Sequence, residues 1–228
     1  MRARFTVLLL LLLSCHPALS DQPLTYDRIH LSVSSGEEVE NDTLIAILYA
    51  QEEGSNPSSL SRNVNLAISK AVERAKQHPT IAVQTLEYHT SPVYNKQHLS
   101  GWRVRQSIQL KSLDAPLLSE LIGELQGWLM LSAISYEVSP KLRNDTEQRL
   151  TADAVSAFRE RATLLAKEWG RKDYRLVELH VTSSGASPHL YRSKGVAMSM
   201  QAEAVPPTLE AGKQRIEVGI NGTVELKP

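Results

Sequence analysis

The chain's apolar positions alternate between strand-like and helix-like spacing over most of its length. Ile29–Val33 and Thr43–Tyr49 are strand-like runs on either side of the polar stretch 34–42, which predicts a hairpin. Gly54, Asn56 and Pro57 break that pattern. Leu60, Val64, Ile68, Ala71 and Ala75 then recur at helical spacing, so an amphipathic helix is expected from a Ser58 or Ser59 cap to about His78-Pro79. Ile81–Tyr94 and Trp102–Leu110 are rich in β-branched and aromatic residues and flank the polar stretch 95–101, which predicts a second hairpin. Asp114 is placed to cap a second helix, with Pro116 in a first turn where a missing N–H costs nothing. Leu118, Leu121, Ile122 and Leu125 make the buried stripe of that helix, and a strand follows over Leu131–Val138.

The longest helix is expected over about Asn144–Trp169, with Leu150, Ala154, Phe158, Ala162, Leu165 and Trp169 on one face and Gly170 as its stop. Its small residues suit close approach to a sheet. Arg175–Ser183 and Arg215–Leu226 read as strands, the second alternating Ile216, Val218, Ile220 and Val224 with polar neighbours. Between them the loop 184–212 holds prolines, glycines and methionines without a period, and a loop that long is usually functional or mobile. Hairpins outnumber strand–helix–strand crossovers. The pattern therefore predicts an α+β fold, a mainly antiparallel sheet with helices packed on one face.

The first twenty residues read as an export signal. Arg2 and Arg4 form a positive start, Phe5–Leu13 is an apolar run with six consecutive leucines, and Ala18-Leu19-Ser20 supplies small residues for cleavage after Ser20. Such a run is too short to cross about 30 Å of hydrocarbon as a helix, so no transmembrane segment is expected. Leu12-Leu13-Ser14-Cys15 loosely resembles a lipoprotein box, which would leave a lipidated Cys15 at the start of the mature chain; Ala18-Leu19-Ser20 is the better site. The expected mature chain is residues 21–228, one domain with its core over about 29–226. A chain of that size buries roughly 70% of its unfolded surface, enough for a single core.

Composition changes the picture mainly by exclusion. The 25 Lys+Arg balance 25 Asp+Glu, and removal of Arg2 and Arg4 leaves the mature chain slightly acidic, unlike a nucleic-acid binder. The single cysteine, Cys15, leaves with the signal. Thiol peroxidase chemistry, disulfide exchange and cysteine-ligated zinc then lack the thiolate that each requires.

The seven histidines make no metalloprotease-like pair on one helix turn; His89 and His98 flank the second hairpin with no third ligand in view. Met198-Ser199-Met200 in the long loop offers soft sulfur to Cu(I), against the plainer reading of loop packing or oxidant scavenging. Ser183-Ser184-Gly185-Ala186-Ser187 lacks the second glycine of a nucleophile elbow, and no glycine-rich loop opens a helix. Glu147, Glu160 and Glu168 read as solvated helix faces. Trp102, Trp128 and Trp169 are too spread for a stacking platform and read as core or interface anchors. The sequons at Asn41, Asn144 and Asn221 matter only in a secretory eukaryote. No catalytic residue, cofactor site or metal site is expected.

Gly101-Trp102-Arg103-Val104-Arg105-Gln106-Ser107-Ile108-Gln109-Leu110 with Leu113-Asp114 resembles the Gly-Tyr-Arg strand-to-helix segment of the SIMPL-domain family. Gln84-Thr85 with Pro92-Val93-Tyr94 is similar to that family's Gln-Thr strand, and Ala154-Val155, Arg159, Ala162, Leu165-Ala166 and Gly170 to its alanine-rich helix. Gly212–Val218 is similar to the start of its last strand. Ser34–Glu38 and Ala157 depart from it, where the family has a glycine-rich strand start and an acidic helix residue. The resemblance implies a periplasmic, self-associating bacterial envelope protein linked to tolerance of oxidative stress, with no established enzyme activity. Its eukaryotic branch meets a pelle-like kinase that an exported chain does not encounter. The expected function is a non-catalytic exported protein acting through protein contacts, as a homo-oligomer and with an envelope protein as a further candidate partner. The alternative is a periplasmic small-molecule or copper-binding protein that uses loop 184–212.

Overall fold

The computed structural model describes residues 26–184 and 210–228. In chain order its elements are β1 (Arg28–Glu40), β2 (Thr43–Gly54), α1 (Pro57–Ala75), β3 (Ala82–Asn95), β4 (His98–Ser112), α2 (Ala115–Leu125), β5 (Met130–Glu137), α3 (Pro140–Glu168), β6 (Asp173–Ser184) and β7 (Lys213–Lys227). All strand pairs are antiparallel, and the fold is α+β as its pattern predicts. The strands divide between two sheets, ordered β3-β4-β2-β5 and β1-β7-β6.

The four-stranded sheet is a split β-α-β-β-α-β unit. Thr43–Ala50 is apolar at nearly every position, which suits a central strand, and β2 takes β4 on one side and β5 on the other. Leu44, Ala46 and Leu48 point from β2 into one core with Val104, Ile108 and Leu110 of β4. Every apolar position expected of the first two helices is buried there: Leu60, Val64, Ile68, Ala71 and Ala75 from α1, and Leu118, Leu121, Ile122 and Leu125 from α2. Asp114 caps α2 as expected, accepting from the Leu117 N–H at 3.0 Å. The cap of α1 is Asn56, two residues before Ser58, with Pro57 in the first turn.

The first expected hairpin does not form. Half of it, β1, alternates Ile29, Leu31 and Val33 with polar residues and pairs along its whole length with β7, Arg28 opposite Glu225 and Glu40 opposite Lys213. The stretch 34–42 is therefore strand as far as Glu40, and the only break is at Asn41-Asp42. Because β1 and β2 belong to different sheets, the apolar residues sort into separate clusters instead of one core.

Helix α3 covers the three-stranded sheet. It starts at Pro140, a turn before the expected Asn144, because Ser139 caps it and accepts from the Leu142 N–H at 3.2 Å. Ala154, Phe158 and Ala162 pack on Leu31, Ile220 and Val224, while Leu150 joins Val39, Val138, Ile216 and Val218. The stripe closes on Ala166, not on Trp169, which caps the helix and is 71% exposed. Gly170 has φ +65° and ends the helix as expected. Close approach of helix to sheet depends on Gly222, where a Cβ would lie 2.7 Å from the Glu178 carbonyl oxygen and 2.9 Å from the Phe158 ring.

Candidate functional site

The strand whose apolar side chains the rest of the fold leaves unmet is β6. Leu176, Leu179 and Val181 lie opposite Val224, Gly222 and Ile220 of β7, so they share the face on which α3 rests. The helix is centred on β7 and β1 and meets β6 less fully, with Tyr174 of that strand packed against its cluster. Leu176, Leu179 and Val181 consequently stay 49%, 36% and 51% exposed. A register shift between Leu176 and Glu178 bulges Val177 out of the ladder, and it too is exposed. Among the described residues nothing pairs with the far side of β6, which leaves a row of backbone donors and acceptors open.

The opposite face of this sheet is polar and tied together row by row. Glu225 accepts from Arg28 at 3.2 Å and from Arg175 at 3.0 Å, one carboxylate bridging cations from both neighbouring strands. The hydrogen bond from Arg28, aided by the charge of Arg175, outweighs burial and holds the Glu225 carboxyl below its ordinary range. His30 and Thr223 are 3.0 Å apart, and His180 and Glu178 are 3.4 Å apart. The hydroxyls of Thr182 and Ser184 donate to the carbonyls of Gly219 and Glu217. One face is thus satisfied by its own side chains, and the other ends in an uncovered apolar strip.

The remaining free edges differ in how they are guarded. β3 carries Pro92, which removes a backbone donor, together with the exposed Tyr88 and Tyr94. β5 begins with the exposed Met130. Neither Pro nor Lys, the usual guards of a free edge, occurs in β1 or β6.

A second polar knot holds the two sheets together. Asp42, in the break between β1 and β2, accepts from both the backbone N–H and the hydroxyl of Ser139 at 2.6 Å, one bond to each carboxylate oxygen. Partial burial pushes the Asp42 carboxyl up, and the bonds from Ser139, with a further one from Thr43, outweigh it and leave the group below its ordinary value. Asn41 donates to the Ala211 carbonyl at 2.7 Å, and Arg149 pairs with Glu37 across α3 and β1. The pattern 139–142 held a readable clue, a serine and a proline at the cap and first position of a helix. The reach of Asp42 across 97 residues had no local signal.

The histidines do not converge. His89 lies opposite Arg105 and His98 opposite Asn95 at the hairpin tip, so seven residues of β4, about 24 Å at strand rise, separate their levels. Among the described residues no group of three His, Cys, Asp or Glu is placed to hold a metal ion. Met198, Met200, His189, His16 and Cys15 lie outside the described residues. Trp102 packs against the larger core, and Trp128 and Trp169 are exposed.

Two antiparallel sheets, each carrying its helices on one face and ending in free strand edges, define the class: an α+β protein whose unmet surface is backbone and apolar side chain. Among the described residues no helix is long and apolar enough to cross a membrane. The model of the SIMPL family, described as "Protein of unknown function (DUF541)", matches residues 29–224, and the chain belongs to that family. No curated protein matches it. Two solved structures are similar over a part: an amidase of the hydantoinase/carbamoylase family from Burkholderia multivorans, at 13% identity and TM-score 0.24 over 45% of this chain and 28% of that one, and its counterpart from Burkholderia vietnamiensis, at 14% and 0.25 over 44% and 29%. The chain spans less than a third of either amidase.

Proposed function

We propose that residues 21–228 form an exported, single-domain, non-catalytic scaffold of the bacterial envelope that works by contact, with copies of itself first and with other envelope proteins second. The observation that carries this reading is β6, whose apolar strip of Leu176, Leu179 and Val181 borders a free edge without Pro or Lys. A soluble monomer gains nothing from such an edge and risks aggregation through it, so its presence favours a partner that covers it. Export, self-association and a role in tolerance of oxidative stress also draw support from membership of the family and the leader-like residues 1–20. Contact-based protection needs no thiol, and the mature chain has none once Cys15 is removed. Light scattering coupled to size exclusion on residues 21–228 tests the reading: a mass above one subunit that falls on dilution is expected, and a strict monomer at high concentration overturns it.

A further inference from the structure

One end of the three-stranded sheet gathers the start of β1, the end of β7, the start of β6 and the end of α3. Arg28 and Arg175 both lie opposite Glu225 there, and Asp173 lies opposite Lys227. Asp27 ties the corner together: its side chain accepts from Arg171 at 2.7 Å and its carbonyl from the Leu226 N–H at 2.8 Å. Tyr26, beside Asp27, and Trp169, two residues before Arg171, are 73% and 71% exposed, more than any other large apolar side chain among the described residues. Tryptophan is normally among the more buried residue types. Trp169 belongs to none of the apolar clusters, so the packing of the fold gives its ring no role.

Charge at this end runs against that of the slightly acidic mature chain. Arg28 and Arg175 share one carboxylate, Glu225, and Arg171 takes Asp27. Lys167, Lys172 and Lys227 make no ion pair among the described residues, and the only further carboxylates beside them are Glu168 and Asp173, the second of which accepts from the Tyr174 N–H at 2.8 Å. Cations therefore exceed carboxylates around two open aromatic rings.

We propose that this end is a peripheral membrane-binding surface, with Trp169 and Tyr26 seated in the headgroup region of an anionic bilayer and the three lysines against its lipid phosphates. Each ring joins an apolar body to a polar tip, the combination that settles where hydrocarbon meets water, and lysine stems lie along such a boundary while their ammonium groups stay in it. Apolar burial and attraction to anionic lipid add to one another at an interface of this kind. The course of the chain agrees. Residues 21–25 separate the expected cleavage point from Tyr26 and span at most about 18 Å when fully extended, so this is the end that the leader-like residues 1–20 bring to the membrane. The inference extends the proposed envelope contact to lipid and does not depend on self-association.

The test is sedimentation of residues 21–228 with vesicles of phosphatidylglycerol and phosphatidylcholine in equal parts, and with phosphatidylcholine alone. Binding is expected to the anionic vesicles, to be weaker on the neutral ones, and to loosen as salt screens the lysines. Trp169→Ala should weaken it about tenfold, and Lys167→Glu with Lys172→Glu at least about fivefold for each charge removed. Trp128→Ala, an equally open test of tryptophan in the other sheet's half of the chain, should bind like wild type. Circular dichroism checks that each variant folds, and Tyr26→Ala replaces Trp169→Ala if that one does not. Failure to bind the anionic vesicles overturns the inference, as does binding that survives both the aromatic and the lysine changes or that Trp128→Ala weakens as much. A Trp169→Ala chain of lower mass than wild type in lipid-free solution assigns this end to a second copy and overturns it too. Self-association without vesicle binding refutes this inference alone, and vesicle binding by a strict monomer refutes only the self-association.

Discussion

Asp42→Asn removes one charge at the junction of the two sheets while keeping the size of the side chain. In the native chain the two carboxylate oxygens accept from the Ser139 N–H and hydroxyl at 2.6 Å each. The asparagine oxygen retains the first bond. Its NH₂ group faces the hydroxyl, which must turn and give up its role toward the carboxylate. The loss is therefore about one charge-assisted hydrogen bond, ~1.5–3 kcal/mol in a partly buried setting, or about 3–12 °C in melting temperature for a chain of this size. The folded-state carboxyl lies below its ordinary value of 3.8, so its stabilisation is fully present above that value and fades as pH falls through the depressed folded one. Thermal melts of wild type and variant at neutral pH and in acid measure this directly. The gap should be open at neutral pH, narrow below pH 3.8 and close once pH has passed the depressed folded value, because protonation then does to the native chain what the substitution does. A second measure is the double variant with Ser139→Ala, whose loss should be less than the sum of the singles since both remove the same bond. An equal gap at both pH values, or strictly additive losses, would refute the bracing role.

Other expectations follow from single contacts. Gly222→Ala forces a Cβ against the Glu178 carbonyl and the Phe158 ring, and should cost about 1–3 kcal/mol in urea unfolding; no loss would mean that α3 sits further from the sheet. Phe158→Ala empties the centre of that contact and should cost about 3–5 kcal/mol, whereas Trp169→Ala, at an exposed cap, should stay within about 0.5 kcal/mol. Intact mass of protein recovered from the bacterial envelope should begin at Asp21 and show no cysteine; a lipidated Cys15 would give a heavier species that partitions with membrane.

How far the fold could be read from the chain depended on how local each cause was. The stripes of α1 and α2 were legible because the 3.6-residue period and the caps Asn56 and Asp114 are written within a few residues of each other. The β3–β4 hairpin was legible because a short polar turn joins two strands that pair directly. The pairing of β1 with β7 was not, since the partners are nearly 200 residues apart and no short-range signal distinguishes a polar turn at 34–42 from a half-buried strand. Trp169 was misplaced for a related reason: the period continues into the cap, but Ala166 is the last buried residue of the helix. Least legible was the proposed contact surface. Leu176, Leu179 and Val181 look like ordinary strand residues, and their exposure follows only from where a 29-residue helix comes to rest across three strands.

Amide hydrogen exchange of residues 21–228, compared between dilute and concentrated samples, bears most directly on whether free strand edges are where this protein meets its neighbours. Peptides covering 28–40 and 173–184 should exchange more slowly when concentrated, while those covering the guarded edge at 82–95 stay unchanged. Assembly that leaves both edge strands exchanging as fast as in the dilute protein would place the contact elsewhere and contradict the edge-to-edge scaffold.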